Sequence, residues 1–204
     1  MGKVCCCFGA GEFFGLHGDI PIDALIIAAD AGIKIAEKCA IEPDIVVGDF
    51  DSLGYLPEAR ELVKLPVEKD QTDMAEAVDI GLERGCDEFL LYGATGGRLD
   101  HTLANIQLIA NLSAIGKRGF IYGNGFFLTA ITSDSICISG KIGDTVSVFS
   151  LTDRSERVTL RGLKYSLENH TLLNTVALGV SNEFASESAE ISVGNGTLLI
   201  YSAF

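Results

Sequence analysis

The chain changes rhythm near Gly125, and that change constrains its fold more than any other feature. Before it, short apolar runs alternate with segments of helical period. Lys3 to Phe8, Ala24 to Ala29, Pro43 to Val47, Leu62 to Val67, Glu88 to Tyr92 and Phe120 to Tyr122 read as strands. Between them lie a helix from about Ala31 to Cys39, a short helical or irregular piece near Pro57 to Glu61, a helix opening near Asp73, and an apolar helix ending near Ala114. In the Asp73 helix, Met74, Ala77, Val78, Gly81 and Leu82 share one face, and Gly85 marks the end. Strands that alternate with helices build a parallel sheet through right-handed crossovers. After Gly125, Phe126 to Thr132, Ser135 to Ser139, Thr145 to Ser150, Val158 to Leu160, Glu190 to Val193 and Thr197 to Ser202 are β-type runs with no helical period between them. Such succession makes an antiparallel sandwich. The expected architecture is therefore an α/β parallel-sheet domain over residues 1–125, followed by a β-sandwich domain over residues 126–204.

Acidic residues recur where the first domain's strands end. Gly48-Asp49-Phe50-Asp51 closes the third apolar run, and in extended backbone its two carboxylates point the same way, roughly 6.6 Å apart. Asp30, Asp73 and Asp100 stand where a strand gives way to a helix. Each alone suits a helix N-cap, and Asp73 with Glu76 has the spacing of a variant capping box. Together the five aspartates would gather at one edge of a parallel sheet, where open α/β folds bind ligands. Like charges so close need a cation to stay ionised, which points to metal-assisted phosphate chemistry. Arg98, in the Gly96-Gly97-Arg98 turn at a helix start, adds a guanidinium and backbone donors suited to phosphate oxygens.

Composition narrows the partners. A net charge of −13 repels nucleic-acid backbones and anionic membranes, so a phosphorylated ligand would need a metal ion to supply positive charge. There is no basic segment followed by an apolar stretch and cleavage site at the start, nor an apolar run of membrane-spanning length, so the expected location is the cytoplasm. Cys5-Cys6-Cys7 and the scattered Cys39, Cys86 and Cys137 read as reduced, buried thiols, and the spacing of a zinc site is missing. The Gly-x₄-Gly-Lys-Ser/Thr loop of P-loop kinases is absent.

The segments Ala29-Asp30-Ala31-Gly32, Gly48-Asp49-Phe50-Asp51-Ser52, Lys69-Asp70-Gln71-Thr72-Asp73, Gly96-Gly97-Arg98-Leu99-Asp100-His101, Gly162-Leu163-Lys164-Tyr165 and Ser181-Asn182-Glu183-Phe184 occur in that order along the chain. In order and spacing they resemble thiamine pyrophosphokinase, a family that moves the terminal diphosphate of ATP onto thiamine. The resemblance implies an N-terminal nucleotide-binding α/β domain, a C-terminal β-sandwich that binds thiamine, and a homodimer with substrate sites between subunits. It assigns Asp49, Asp51 and Asp73 to Mg²⁺, and Asp30, Thr72, Gly96, Gly97 and Arg98 to ATP. Asp100 and Asp73 would stand at the reacting groups as candidate proton acceptors, and Ser181 and Asn182 would recognise thiamine. The chain departs from the family pattern at Ala31, where a second glycine is common, and at Ser166, where a proline is common.

Rival readings leave more unexplained. An aspartate-nucleophile phosphatase would carry its paired aspartates after the first strand. A sugar-nucleotide glycosyltransferase has no use for the Lys69–Asp73 and Gly96–His101 segments. A non-catalytic thiamine or nucleotide sensor would not need every metal ligand.

Overall fold

The computed structural model describes residues 2–49, 59–66 and 70–204. The chain divides into two compact units. The first runs to Asn105 and takes in Ile121–Asn124. The second comprises Ile106–Phe120 and Gly125–Phe204, so the later turns of one helix and the start of one strand belong with the C-terminal strands.

The first unit contains β1 (Lys3–Phe8), β2 (Leu25–Ala29), a 3₁₀ turn (Asp30–Gly32), α1 (Ile33–Lys38), β3 (Ile45–Gly48), β4 (Glu61–Lys64), α2 (Asp73–Glu83) and β5 (Cys86–Tyr92). The helix α3 (Leu99–Ala114) and the strand β6 (Arg118–Gly123) each contribute to both units. The strand order is β6-β5-β1-β2-β3-β4, and the pairs β5/β1, β1/β2, β2/β3 and β3/β4 are all parallel. Strands covered on both faces read as continuous apolar runs, and Cys5, Cys6, Cys7 and Phe8 are fully buried in the middle of this sheet. The thiols are packing groups. Contact with Cys7 pushes the Cys5 thiol up, burial pushes Cys6 up, and only Cys137 among the six cysteines is exposed. Against β1 and β5 lies α2, close enough that a Cβ on Gly81 would meet the Phe89 ring at 2.6 Å and the Cys5 sulfur at 3.0 Å. That close approach accounts for a glycine in the middle of a helix.

Connectivity fixes the functional edge. From β1 the chain steps outward through β2, β3 and β4, then returns to place β5 on the other side of β1. The strand order therefore reverses between β1 and β5, the place where open α/β sheets bind ligands beyond the carboxyl ends of their strands.

The second unit holds β7 (Phe126–Thr132), β8 (Ser135–Ser139), β9 (Thr145–Ser150), β10 (Arg154–Arg161), β11 (Leu167–Leu173), β12 (Gly179–Glu183), β13 (Ser188–Ser192) and β14 (Thr197–Ala203). They run antiparallel in the orders β12-β9-β14-β7 and β11-β10-β13-β8. One apolar core joins the two layers, drawing Ile131, Val146, Val148, Leu198 and Ile200 from the first and Ile138, Val158, Leu160, Leu172 and Ile191 from the second. Face-to-face sheets close their core in this way.

Several expectations are corrected. β11 and β12 are strands that the sequence pattern does not reveal. Both are edge strands, β11 with mostly exposed side chains and β12 with only Gly179 and Asn182 buried, so the apolar alternation that marks a strand is missing. The expected helix from Ala31 to Cys39 is a 3₁₀ turn followed by the six residues Ile33–Lys38. Asp30 caps neither piece: it is the first residue of the 3₁₀ turn, with a left-handed φ of 47°, and the N-cap of α1 is Gly32. The cap of α2 is Thr72, whose Oγ1 accepts the Ala75 N–H at 3.2 Å, while Asp73 is the first helical residue. Of the piece expected near Pro57 to Glu61, Glu61 opens β4 and Pro57 lies outside the described residues, as does the Val67 end expected for that strand.

Candidate functional site

The loops that leave β1 and β5 are joined backbone to backbone. The Gly9 N–H donates to the Tyr92 carbonyl at 2.8 Å, Gly11 N–H to the Gly93 carbonyl at 2.8 Å, and Glu12 N–H to the Thr95 carbonyl at 2.9 Å. Such contact requires bare backbone. A Cβ on Gly11 would meet the Gly93 carbonyl oxygen at 2.6 Å, and one on Gly9 would lie 2.8 Å from the same atom. Behind the loops, Tyr92 is buried and stacks on Phe8 and Tyr122 with ring centroids at 5.6 and 4.9 Å, and its hydroxyl donates to the His17 carbonyl at 3.3 Å. The aromatic stack gives the loop after β1 a rigid backing.

The crevice is a cavity of about 320 Å³. Its walls are the two glycine loops, Ala29 and Asp30 from the end of β2, Thr72, Asp73 and Met74 from the start of α2, and Arg98, His101 and Asn105 from the region where α3 begins. The structure thus gathers six of the residues singled out in the sequence: Asp30, Thr72, Asp73, Gly96, Gly97 and Arg98. Asp49 does not line the cavity, but it follows Gly48, where a Cβ would come within 3.1 Å of the Asp30 Cα. Asp51 lies outside the described residues. Among the described residues no three carboxylate, imidazole or thiol groups converge as a metal site. Carboxylates do supply the hard oxygen donors that Mg²⁺ takes, and Asp30 and Asp73 present them at the cavity wall.

Two cavity residues carry backbone or polar strain. Asp30 sits in the left-handed region, a conformation that costs a non-glycine residue about 1–3 kcal/mol and concentrates at functional sites. Thr95 is buried, and its hydroxyl has no hydrogen-bond partner among the described residues. Asn105, also buried, donates to the Ala94 carbonyl at 2.8 Å and so fixes the glycine loop to α3.

Arg98 and Asp100 form a two-pronged pair, Nε to Oδ1 at 3.1 Å and Nη2 to Oδ2 at 2.6 Å, and the His101 N–H donates to the same carboxylate at 3.1 Å. The Arg98 guanidinium holds the Asp100 carboxyl down to about 2. Asp100 is therefore the partner that orients Arg98, and it is a weak proton acceptor at neutral pH.

In the second unit, Ser181 and Asn182 lie on β12. Ser181 has a left-handed φ of 59°, and its N–H donates to the Ser147 hydroxyl at 3.0 Å. Asn182 is buried, with Oδ1 accepting from the Tyr165 and Glu183 N–H groups at 2.9 and 3.0 Å and Nδ2 donating to the Tyr165 carbonyl at 2.7 Å. Its amide clamps the Gly162–Tyr165 turn and leaves the Tyr165 ring exposed.

Residues 22–118 match the family described as thiamin pyrophosphokinase, catalytic domain, and residues 135–198 match thiamin pyrophosphokinase, vitamin B1 binding domain. The chain is 30% identical over 191 residues to a thiamine pyrophosphokinase of Bacillus subtilis, covering 86% of each. It belongs to the thiamine pyrophosphokinase family. The fold agrees. A crystal structure of the thiamine pyrophosphokinase from Bacillus subtilis superposes with a TM-score of 0.86 at 26% identity over 98% of this chain and 99% of that one. One from Geobacillus thermodenitrificans gives 0.85 at 25% identity over 99% and 98%. Thr95 and Asn105 are cavity walls that the sequence does not single out. The Gly9-Ala10-Gly11 turn reads in the sequence as a small-residue break after the first strand that would let a ligand approach the backbone, but a lone Gly-x-Gly gains meaning only once β5 is known to lie beside β1.

Two outcomes check these assignments. The Asp100 carboxyl, followed by NMR, should titrate with a midpoint near 2. In Arg98→Ala the midpoint should rise toward the ordinary carboxylate value of about 3.9. Because the folded value is depressed, the pair is intact above the ordinary range and is lost only as pH falls through about 2. Asn182→Ala strips partners from three buried or half-buried backbone groups and should cost about 1–3 kcal/mol in denaturant unfolding. A loss under half that would show that the clamp is dispensable.

Proposed function

We propose that this protein transfers the terminal diphosphate of ATP to the hydroxyl of thiamine, giving thiamine diphosphate and AMP. The observation that carries the reading is the cavity where the strand order reverses. There a glycine-rich loop and Arg98 offer donors to phosphate while Asp30 and Asp73 present carboxylates, in a chain whose two halves match the family's catalytic and vitamin-binding domains. ATP would lie along the two glycine loops, its phosphates toward Gly96, Gly97 and Arg98, where the start of a helix favours anions.

Mg²⁺ fits the chemistry of the donors, with Asp49, Asp51 and Asp73 as the residues that would hold it. Bound there it would neutralise phosphate oxygens in a chain whose net charge of −13 otherwise repels ATP. In the reaction the thiamine hydroxyl oxygen forms a bond to the β-phosphorus while the bond to the oxygen bridging the α- and β-phosphates breaks, and AMP leaves with that electron pair. The hydroxyl proton passes to a carboxylate. With Asp100 spent on Arg98, we assign that role to Asp73. Positioning by the rigid loops supplies most of the rate, as in other phosphoryl transfers.

Thiamine would be held by the second unit through Ser181, with Asn182 shaping the turn beside it. A cationic thiazolium also suits an acidic protein. We further propose a cytoplasmic homodimer in which the two units that serve one substrate pair come from different subunits. No helix among the described residues is long and apolar enough to cross a membrane.

Incubation with thiamine, ATP and Mg²⁺ should yield AMP and thiamine diphosphate in equal amounts; stoichiometric ADP with thiamine monophosphate would overturn the reading. Since Thr72 caps α2, Asp73→Asn should leave the melting temperature nearly unchanged and lower turnover roughly 10²-fold or more, with Asp79→Asn as an inert control. Near-normal turnover would reduce Asp73 to a helix residue. For the dimer, mixing and exchanging Asp73→Asn subunits with Ser181→Ala subunits should recover activity above either parent, because one hybrid site per dimer is intact. No recovery would place each site within one chain.

A further inference from the structure

Gly97 donates its N–H to the Glu12 carboxylate, with Oε1 at 3.2 Å. The contact is built rather than incidental. The Glu12 backbone is tied to the Thr95 carbonyl at 2.9 Å, and its side chain lies flat on Gly96, where a Cβ would meet the Glu12 Cβ and Cγ at 2.6 Å and Cδ at 2.7 Å. Gly96 has a φ of 79° and Gly97 one of 60°, so the left-handed turn that presents the Gly97 N–H is the same turn that makes room for the glutamate. On its other side, a Cβ on Gly97 would meet nothing within 4 Å. An exposed acidic side chain thus rests on a backbone donor of the loop that the proposed function gives to the ATP phosphates.

We propose that Glu12 determines how tightly the site takes nucleotide, by occupying in the free enzyme the donor that a phosphate oxygen takes in the complex. The carboxylate keeps the Gly97 N–H satisfied and the glycine loop in its working shape. It must yield that donor when polyphosphate arrives, and it remains nearby as a like charge. Affinity is thereby set below what the loop and Arg98 would give alone, which favours release of the nucleotide product. The inference rests on the reading of this cavity as the nucleotide site.

The test is calorimetric titration of ATP with Mg²⁺, without thiamine, into the full chain and into Glu12→Gln and Glu12→Ala. Glutamine keeps the shape and an oxygen acceptor but not the charge; alanine removes both. Both variants should bind ATP more tightly, by about tenfold for the loss of one close like charge, with the gain shrinking as salt is raised. Melting temperatures should stay within a degree or two of the parent. Equal or weaker binding by both variants, where the parent binds, overturns the role of Glu12 and leaves the nucleotide site standing. Failure of the parent itself to bind ATP overturns the nucleotide reading and this inference with it.

Discussion

The candidate site depends on one constraint: two loops must pass within backbone hydrogen-bonding distance where the sheet order reverses. Three N–H to carbonyl bonds, from Gly9, Gly11 and Glu12, join the loop after β1 to the loop after β5. Without side chains at Gly9, Gly11 and Gly93 the loops can touch; with them, they would be driven apart and the cavity wall would open. The buried Phe8–Tyr92–Tyr122 stack supports the pair from behind, so the polar edge is rigid because the apolar body beneath it is close-packed.

From that edge the charges acquire distinct roles. Arg98 and Asp100, both largely exposed, form a two-pronged pair, and the same contact holds the Asp100 carboxyl down to about 2. Asp30 and Asp73 line the cavity from two other elements, the 3₁₀ turn after β2 and the start of α2, and each arrives there for a local reason. Asp30 is turned inward by a left-handed backbone, and Asp73 follows a threonine cap that frees it from capping duty. In the second unit Asn182 spends its amide on the Tyr165 turn, so its effect on any ligand runs through the shape of that turn.

Sequence reasoning reached much of this because the relevant signals were local. Strands of both units were legible as apolar runs, the parallel β1 over Lys3–Phe8 and the antiparallel β7 over Phe126–Thr132 with their observed bounds, because burial on both faces or one leaves a direct mark on composition. The helical face of Met74, Ala77, Val78 and Gly81 was legible from its period. The polar edge strands β11 and β12 were not, since solvent-facing side chains carry no period of burial. Asp30 and Asp73 were misplaced as caps because Asp is an ordinary cap and the true assignments, a left-handed turn and the neighbouring Thr72, are matters of one residue's backbone angle.

The sequence by itself determined the change from alternating strands and helices to successive strands, and the family. Tertiary structure alone decided which candidate residues share a cavity: Asp30, Thr72, Asp73, Gly96, Gly97 and Arg98. The Asp49 to Asp51 stretch is the most conspicuous acidic motif, yet the cavity lies between β1 and β5, and Asp49 does not line it. The order of strands in a sheet is a long-range property, fixed by which crossovers bury the most apolar surface, and no window of sequence contains it. The same holds for the contact between Glu12 and Gly97, residues far apart in the chain that become neighbours only because two parallel strands end side by side.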